Sequence, residues 1–148
     1  MNKAITTVGW REWAMLPELD LPWIKAKIDT GARSSCLHAF YLEPFKRNGE
    51  KWVRFGVHPH QGDSDTVVVC ESKVIDERDV TDSGGHKENR YVISTQLSLN
   101  NQQWPIEITL TNRDTMRFRL LIGRTAMEQR IIVNPSESFL LGKPRSEA

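Results

Sequence analysis

Apolar residues recur at every second position along much of this chain and are interrupted at short intervals by turn-forming residues, which leaves little choice of fold class. Thr6 to Leu16 reads as one strand, rich in β-branched and aromatic residues, ended by Pro17 and followed by a turn over Glu18 to Pro22. Ile24, Ala26 and Ile28 alternate with Lys25 and Lys27, and Cys36 to Leu42 reads as a further strand that Pro44 closes. Asn48-Gly49 is the best hairpin signal, because the pair supplies the positive φ angles of a tight two-residue turn. Trp52 to Val57 and Thr66 to Val74 are the strands expected of that excursion. Asp76 to Arg90 is polar, and Tyr91 to Leu99 and Trp104 to Thr111 form a second hairpin about Asn100-Asn101. Only Arg124 to Arg130 has a helical reading, ahead of Ile131 to Val133 and Phe139 to Leu141. The expectation is an all-β fold, a closed barrel with one short C-terminal helix.

The 148 residues are expected to form a single domain, long enough to bury a core without metal or disulfide staples. A net charge of +1 with Lys and Arg scattered in ones and twos makes no field for a polyanion, so no nucleic acid partner is expected. No stretch approaches a membrane span or the apolar core of a signal peptide. Two cysteines, Cys36 and Cys70, sit in apolar-alternating stretches where a buried free thiol is the common outcome. Together these features lead to the expectation of a soluble, cytoplasmic protein.

Chemistry concentrates at Asp29. The strand ending in Ile28 runs into Asp29-Thr30-Gly31-Ala32-Arg33-Ser34, so a rigid element holds the acid while Gly31 permits a sharp turn. An isolated Asp-x-Gly is more often a turn in which the carboxyl caps its own backbone. A second stretch, Leu120-Leu121-Ile122-Gly123-Arg124-Thr125, repeats the pattern of apolar strand and glycine and then begins the helix.

Together the two stretches resemble the retropepsin-like aspartic proteases, whose subunits carry Asp-Thr-Gly-Ala after an apolar strand and later two apolar residues, Gly and a short helix opening with Arg. Gly9-Trp10-Arg11-Glu12-Trp13, Leu16-Pro17-Glu18-Leu19, the stretch Ile24 to Arg33 and Ile122 to Thr125 resemble a bacterial branch that carries the name ATP-dependent zinc protease. The resemblance covers most of the chain. It implies a closed retropepsin-like barrel and a homodimeric aspartic peptidase acting on a peptide, with Asp29, Thr30 and Gly31 catalytic. Two chains are required because a carboxyl hydrolyses a peptide bond well only when a second one shares its proton. Thr30 would lock the two loops across the axis, and Gly31 would leave room for substrate backbone. By the same resemblance Ala32, Gly84 and Gly85 contact substrate, the last two in a flap near Asp82 to Lys87, and Arg33, where this chain departs from the family's pattern, is a further candidate substrate contact. An inserted hairpin at about 46–73 has no counterpart in the smallest members.

Retroviral members carry an acid where this chain has Arg33, and that acid pairs with an Arg on the other subunit. An ungapped count places Glu12 level with that Arg. The expected dimer contacts are therefore Glu12 of one chain with Arg33 of the other, Glu18 being the fallback partner, together with Thr30 and Arg124. Two other readings belong to different classes. One is a catalytically silent barrel that binds a peptide or an ATP-grasp ligase partner, since members of the branch are associated with such ligases. The other is a zinc hydrolase built on His58 and His60, with His38, His86, Cys36 or Cys70 as third ligand; no His-Glu-x-x-His helix supports it, no phosphate-binding loop supports ATP dependence inside this chain, and no metal or cofactor is expected.

Overall fold

The chain keeps its β-rich plan, but its strands pair across long stretches of sequence. The structure, a computed structural model, describes residues 5–60, 62–81, 84–112 and 118–142. In order these are β1 (Thr6–Val8), β2 (Arg11–Leu16), a 3-10 turn (Pro17–Leu19), β3 (Leu21–Ile28), β4 (Ser35–His38), β5 (Tyr41–Arg47), β6 (Glu50–Val57) and β7 (Val68–Lys73). There follow β8 (Asp76–Thr81), β9 (Lys87–Leu99), β10 (Gln102–Thr111), β11 (Leu120–Ile122), α1 (Arg124–Met127) and β12 (Ile131–Val133).

Six strands close a ring, β10-β4-β11-β3-β2-β9 and back to β10, and β8 extends outward from β9. This is the expected closed barrel. Alternation supplies its core: Leu16, Leu21, Ile24, Leu37, Ile93 and Ile108 point inward and are fully buried. The late strand β11 slides between β3 and β4, parallel to β3 with Ile122 opposite Ile28, and antiparallel to β4 with Leu120 opposite Leu37. Sequence-distant halves of the chain are thereby brought to one end of the barrel.

Several expected boundaries move, each for an identifiable reason. The single strand over Thr6 to Leu16 breaks at Gly9, where a Cβ would lie 2.2 Å from the Glu137 carbonyl oxygen of the returning C-terminal segment. Pro44 sits inside β5 and does not end it, because β5 is an edge strand and a missing N–H costs nothing on its open side. Helix α1 stops at Met127, since Glu128 is extended at ψ 128° and Gln129 adopts φ 65°. The polar stretch after Asp76 contains a true strand, β8, which pairs antiparallel with β9 from Asp76 opposite Val92 to Thr81 opposite Lys87 and so makes a hairpin.

The turn at Asn48-Gly49 forms with φ 53° and 80°, and Asn100-Asn101 with 52° and 60°. The first belongs to a three-stranded antiparallel sheet, β5-β6-β7, which is larger than the hairpin expected there. Val53, Phe55 and Cys70 bury its inner face, while on the outer face Arg47 lies 4.3 Å from the Trp52 ring centre. Of the five tryptophans, Trp104 is buried with its indole N–H donating to Ala126 O at 3.0 Å, and Trp13 stacks on Phe139.

Candidate active site

The loop carrying Asp29 leaves β3 and is fastened on every side. Asp29 N–H donates to Ile122 O at 2.9 Å, and Ala32 N–H returns to Asp29 O at 3.3 Å. Asp29 Oδ1 accepts the Gly31 N–H at 2.9 Å, so the carboxyl does cap its own turn. Oδ2 accepts no bond among the described residues, and the residue is half-buried. Capping and chemistry are compatible: one oxygen fixes the orientation and the other is presented.

The start of α1 grips the same loop. Arg124 N–H donates to Ala32 O at 2.7 Å, and the N–H and hydroxyl of Thr125 both donate to Arg33 O, at 3.1 and 2.9 Å. Arg124 Nη1 reaches Thr30 O at 3.4 Å. Gly123 is required by close approach, since a Cβ there would meet Ser34 C and O at 2.5 Å. Its N–H donates to Ser35 Oγ at 3.0 Å. The two motifs found in the sequence are thus one structural unit, with Asp29, Thr30, Gly31, Ala32 and Arg33 on one side and Gly123 and Arg124 on the other.

Two open concavities flank this unit. One, of about 420 Å³, is lined by Thr30, Arg124, Met127, Ile131, Val133 and Pro135 among others and is mainly apolar. The other, of about 560 Å³, lies between β8 and the outer side of β10 and reaches Arg33, Ser34 and Thr125; Asp29 is not in its lining. Arg78 spans it, pairing with Asp76 at 2.7 Å and Glu107 at 2.9 Å. Arg33 is exposed and pairs with no described acid. Gly84 and Gly85 stand at the exposed tip of the β8–β9 hairpin, whose Asp82 and Ser83 lie outside the described residues.

Glu12 does not take the position expected from the sequence. It is fully buried, and its carboxyl accepts the N–H groups of Gly9, Leu140 and Leu141 at 2.7, 2.8 and 3.2 Å. A side chain closed over by its own C-terminal segment cannot meet Arg33 of a second chain. Glu18, the fallback, is exposed in the turn joining β2 to β3, at the end of that hairpin away from Asp29, and its carboxyl accepts Gln96 N–H. Nothing in the spacing of the sequence announces the role of Glu12; it depends on where the C-terminal segment returns.

The candidate zinc ligands are not gathered. His58 stacks on Phe40 with ring centres 4.2 Å apart, His60 is exposed, His38 is buried on β4, and His86 is exposed near the hairpin tip. Cys70 is held under the β5-β6-β7 sheet with its thiol toward Leu19 O at 3.4 Å. Burial pushes the Cys36 thiol up, against the opposing pull of the Arg90 guanidinium. Among the described residues no three His, Cys, Asp or Glu side chains come together to hold a metal ion.

The RimB-like family model, described as "Retropepsin-like aspartic endopeptidase RimB", matches residues 7–144. A "Probable alpha-L-glutamate ligase" of Shewanella pealeana is 49% identical over 142 residues, covering 96% of this chain and 31% of that protein. One of the same description from Desulfotalea psychrophila is 48% identical over 141 residues, 95% of this chain and 30% of the relative. The chain therefore spans about a third of the length of these curated relatives. A crystal structure of a Legionella pneumophila protein of unknown function superposes with a TM-score of 0.77 at 26% identity, covering 93% of this chain and 98% of that one.

Proposed function

The chain belongs to the RimB-like family of retropepsin-like aspartic endopeptidases, and from that membership we propose that it is a cytoplasmic, homodimeric aspartic peptidase with one Asp29 from each subunit. The observation that carries this reading is the fastened Asp29 loop, with Oδ1 spent on the Gly31 N–H and Oδ2 presented. In the dimer the two carboxyls share one proton, so that one acts as acid while the other activates water. The apolar concavity beside Thr30 and Arg124 is the natural seat of the second subunit, and an isologous contact there brings two Asp29 loops together.

Arg33 enters this reading as a substrate contact. It is exposed, pairs with no acid among the described residues and lines the concavity under β8, and the relatives are named as probable glutamate ligases. Both features favour a peptide bearing carboxylates, which a guanidinium binds in a two-pronged fashion. Cleavage of peptides with and without glutamate beside the scissile bond, by wild type, Asp29→Asn and Arg33→Glu, tests the assignment. We expect no turnover by Asp29→Asn with the fold intact, and loss of the glutamate preference by Arg33→Glu. Turnover by the Asn variant overturns the reading. Activity is expected to fall as the shared proton is lost at higher pH and to survive chelators.

A second reading is favoured by the ligase names alone: the barrel acts beside an ATP-grasp glutamate ligase and binds peptide without cutting it. A wild-type dimer that binds glutamate-bearing peptides and cleaves none of a broad library would establish it.

A further inference from the structure

Strand β9 changes partner halfway along its length. From Leu99 to Val92 it pairs with β10, and from Val92 to Lys87 it pairs with β8, so Val92 marks where the hairpin departs from the barrel. Two charged side chains fill the space that opens beyond this point. Arg90 Nε donates to Glu88 Oε1 at 2.8 Å, and the two side chains are only 10% and 23% exposed. In the other described ion pairs each partner is at least 31% exposed.

Arg90 also reaches the barrel. Its Nη1 lies 3.3 Å from Cys36 Sγ on β4 and 3.3 Å from Thr109 Oγ1 on β10. The Thr111 hydroxyl stands 2.9 and 3.1 Å from the two Glu88 oxygens. From Thr109 the contacts continue inward: its hydroxyl donates to Ser35 O at 3.1 Å, and Ser35 Oγ accepts the Gly123 N–H at 3.0 Å. Gly123 is pressed against the backbone of Ser34 and Ala32, and its neighbour Ile122 accepts the Asp29 N–H.

We propose that Arg90 is a positioning residue that couples the β8–β9 hairpin to the Asp29 loop through Thr109 and Ser35. A hairpin that swings outward at Val92 must draw Arg90 away from Thr109 and Cys36. The Thr109 hydroxyl then loses the donor that fixes its rotamer, which loosens its hold on the Ser35 carbonyl, the backbone of the residue whose side chain accepts the Gly123 N–H. Because the network is largely removed from solvent, breaking one link leaves buried polar groups unpaired, and the cost passes along the chain of contacts. The consequence for turnover rests on the peptidase reading; the coupling itself does not.

Hydrogen exchange followed by mass spectrometry on the full chain tests it, with Thr109→Val, which keeps the shape and removes the hydroxyl, and Arg90→Lys, which keeps the charge and loses the fork. Peptides spanning 29–35 and 118–125, which include the Gly123 amide, should lose protection together with 76–92, by about tenfold. Strands β2 and β3 should keep theirs. Faster exchange confined to the hairpin, or spread evenly over the barrel, overturns the proposal. In a peptide assay both variants should lower kcat and raise KM together. A wild type that cleaves nothing defeats the peptidase reading, while the exchange pattern still decides the coupling.

Discussion

Gly49 and Gly123 are glycines for different physical reasons, and alanine separates them. Gly49 adopts φ +80° with nothing within 4 Å of where a Cβ would stand. Gly49→Ala should therefore cost only the backbone strain, about 1 kcal/mol. At Gly123 the obstacle is the Ser34 backbone at 2.5 Å. There alanine must push the Asp29 loop aside, costing about 2–3 kcal/mol and, on the peptidase reading, the activity. Urea unfolding of the two variants checks the order; equal costs would mean that the loop yields freely. Glu12 is the other informative residue. Glu12→Ala strands the buried N–H groups of Gly9, Leu140 and Leu141 and should destabilise the chain by about 3–5 kcal/mol. Glu12→Gln, which keeps an acceptor oxygen, should cost less. A negligible loss in Glu12→Ala would show that water replaces the carboxyl there.

Among the elements, the β5-β6-β7 sheet and the β8–β9 hairpin are joined by more than the short link between them. Lys51 of β6 pairs with Glu77 of β8 at 2.7 Å and lies 4.8 Å from the Tyr91 ring centre on β9. The sheet thus stands behind the stem of the hairpin. Its buried Cys70 reports whether it stays in place. Burial, with Asp20 adding to it, pushes that thiol up to about 12 from an ordinary value of 9.0. The folded chain therefore keeps a proton that the unfolded chain releases, so this contribution to stability is full below pH 9.0 and is lost as pH rises toward 12. The drop in urea midpoint between pH 7 and pH 10 should be smaller in Cys70→Ala than in wild type. An identical drop would assign the alkaline loss to other groups.

For the whole molecule, the peptidase reading makes self-association the decisive property, because each chain brings a single Asp-Thr-Gly at Asp29. Specific activity should rise with protein concentration and follow the dimer fraction seen by sedimentation. Turnover by a verified monomer would defeat the shared-carboxyl reading. With Glu12 sealed inside its own chain, Arg33→Glu should change peptide preference and leave the dimer dissociation constant within about threefold, as expected for an exposed charge. A loss of dimer in that variant would return Arg33 to the subunit contact.

Local chemistry was enough to read the Asn48-Gly49 and Asn100-Asn101 turns, the Ile24–Ile28 alternation and both halves of the Asp29 unit. Each rests on residues close together in sequence, through a φ preference, a side-chain period or a glycine at a turn. Period two also carried the all-β class, because burying one face of every strand leaves a closed sheet as the economical solution. What the sequence could not disclose depended on which distant backbone came alongside. Polar β8 is a strand because β9 offers it a ladder, Pro44 is tolerated because β5 is an edge, and Gly9 breaks a strand because Glu137 passes there. Glu12 follows the same logic: its burial and its three N–H partners exist only once the C-terminal segment has returned, a long-range contact that no local pattern encodes.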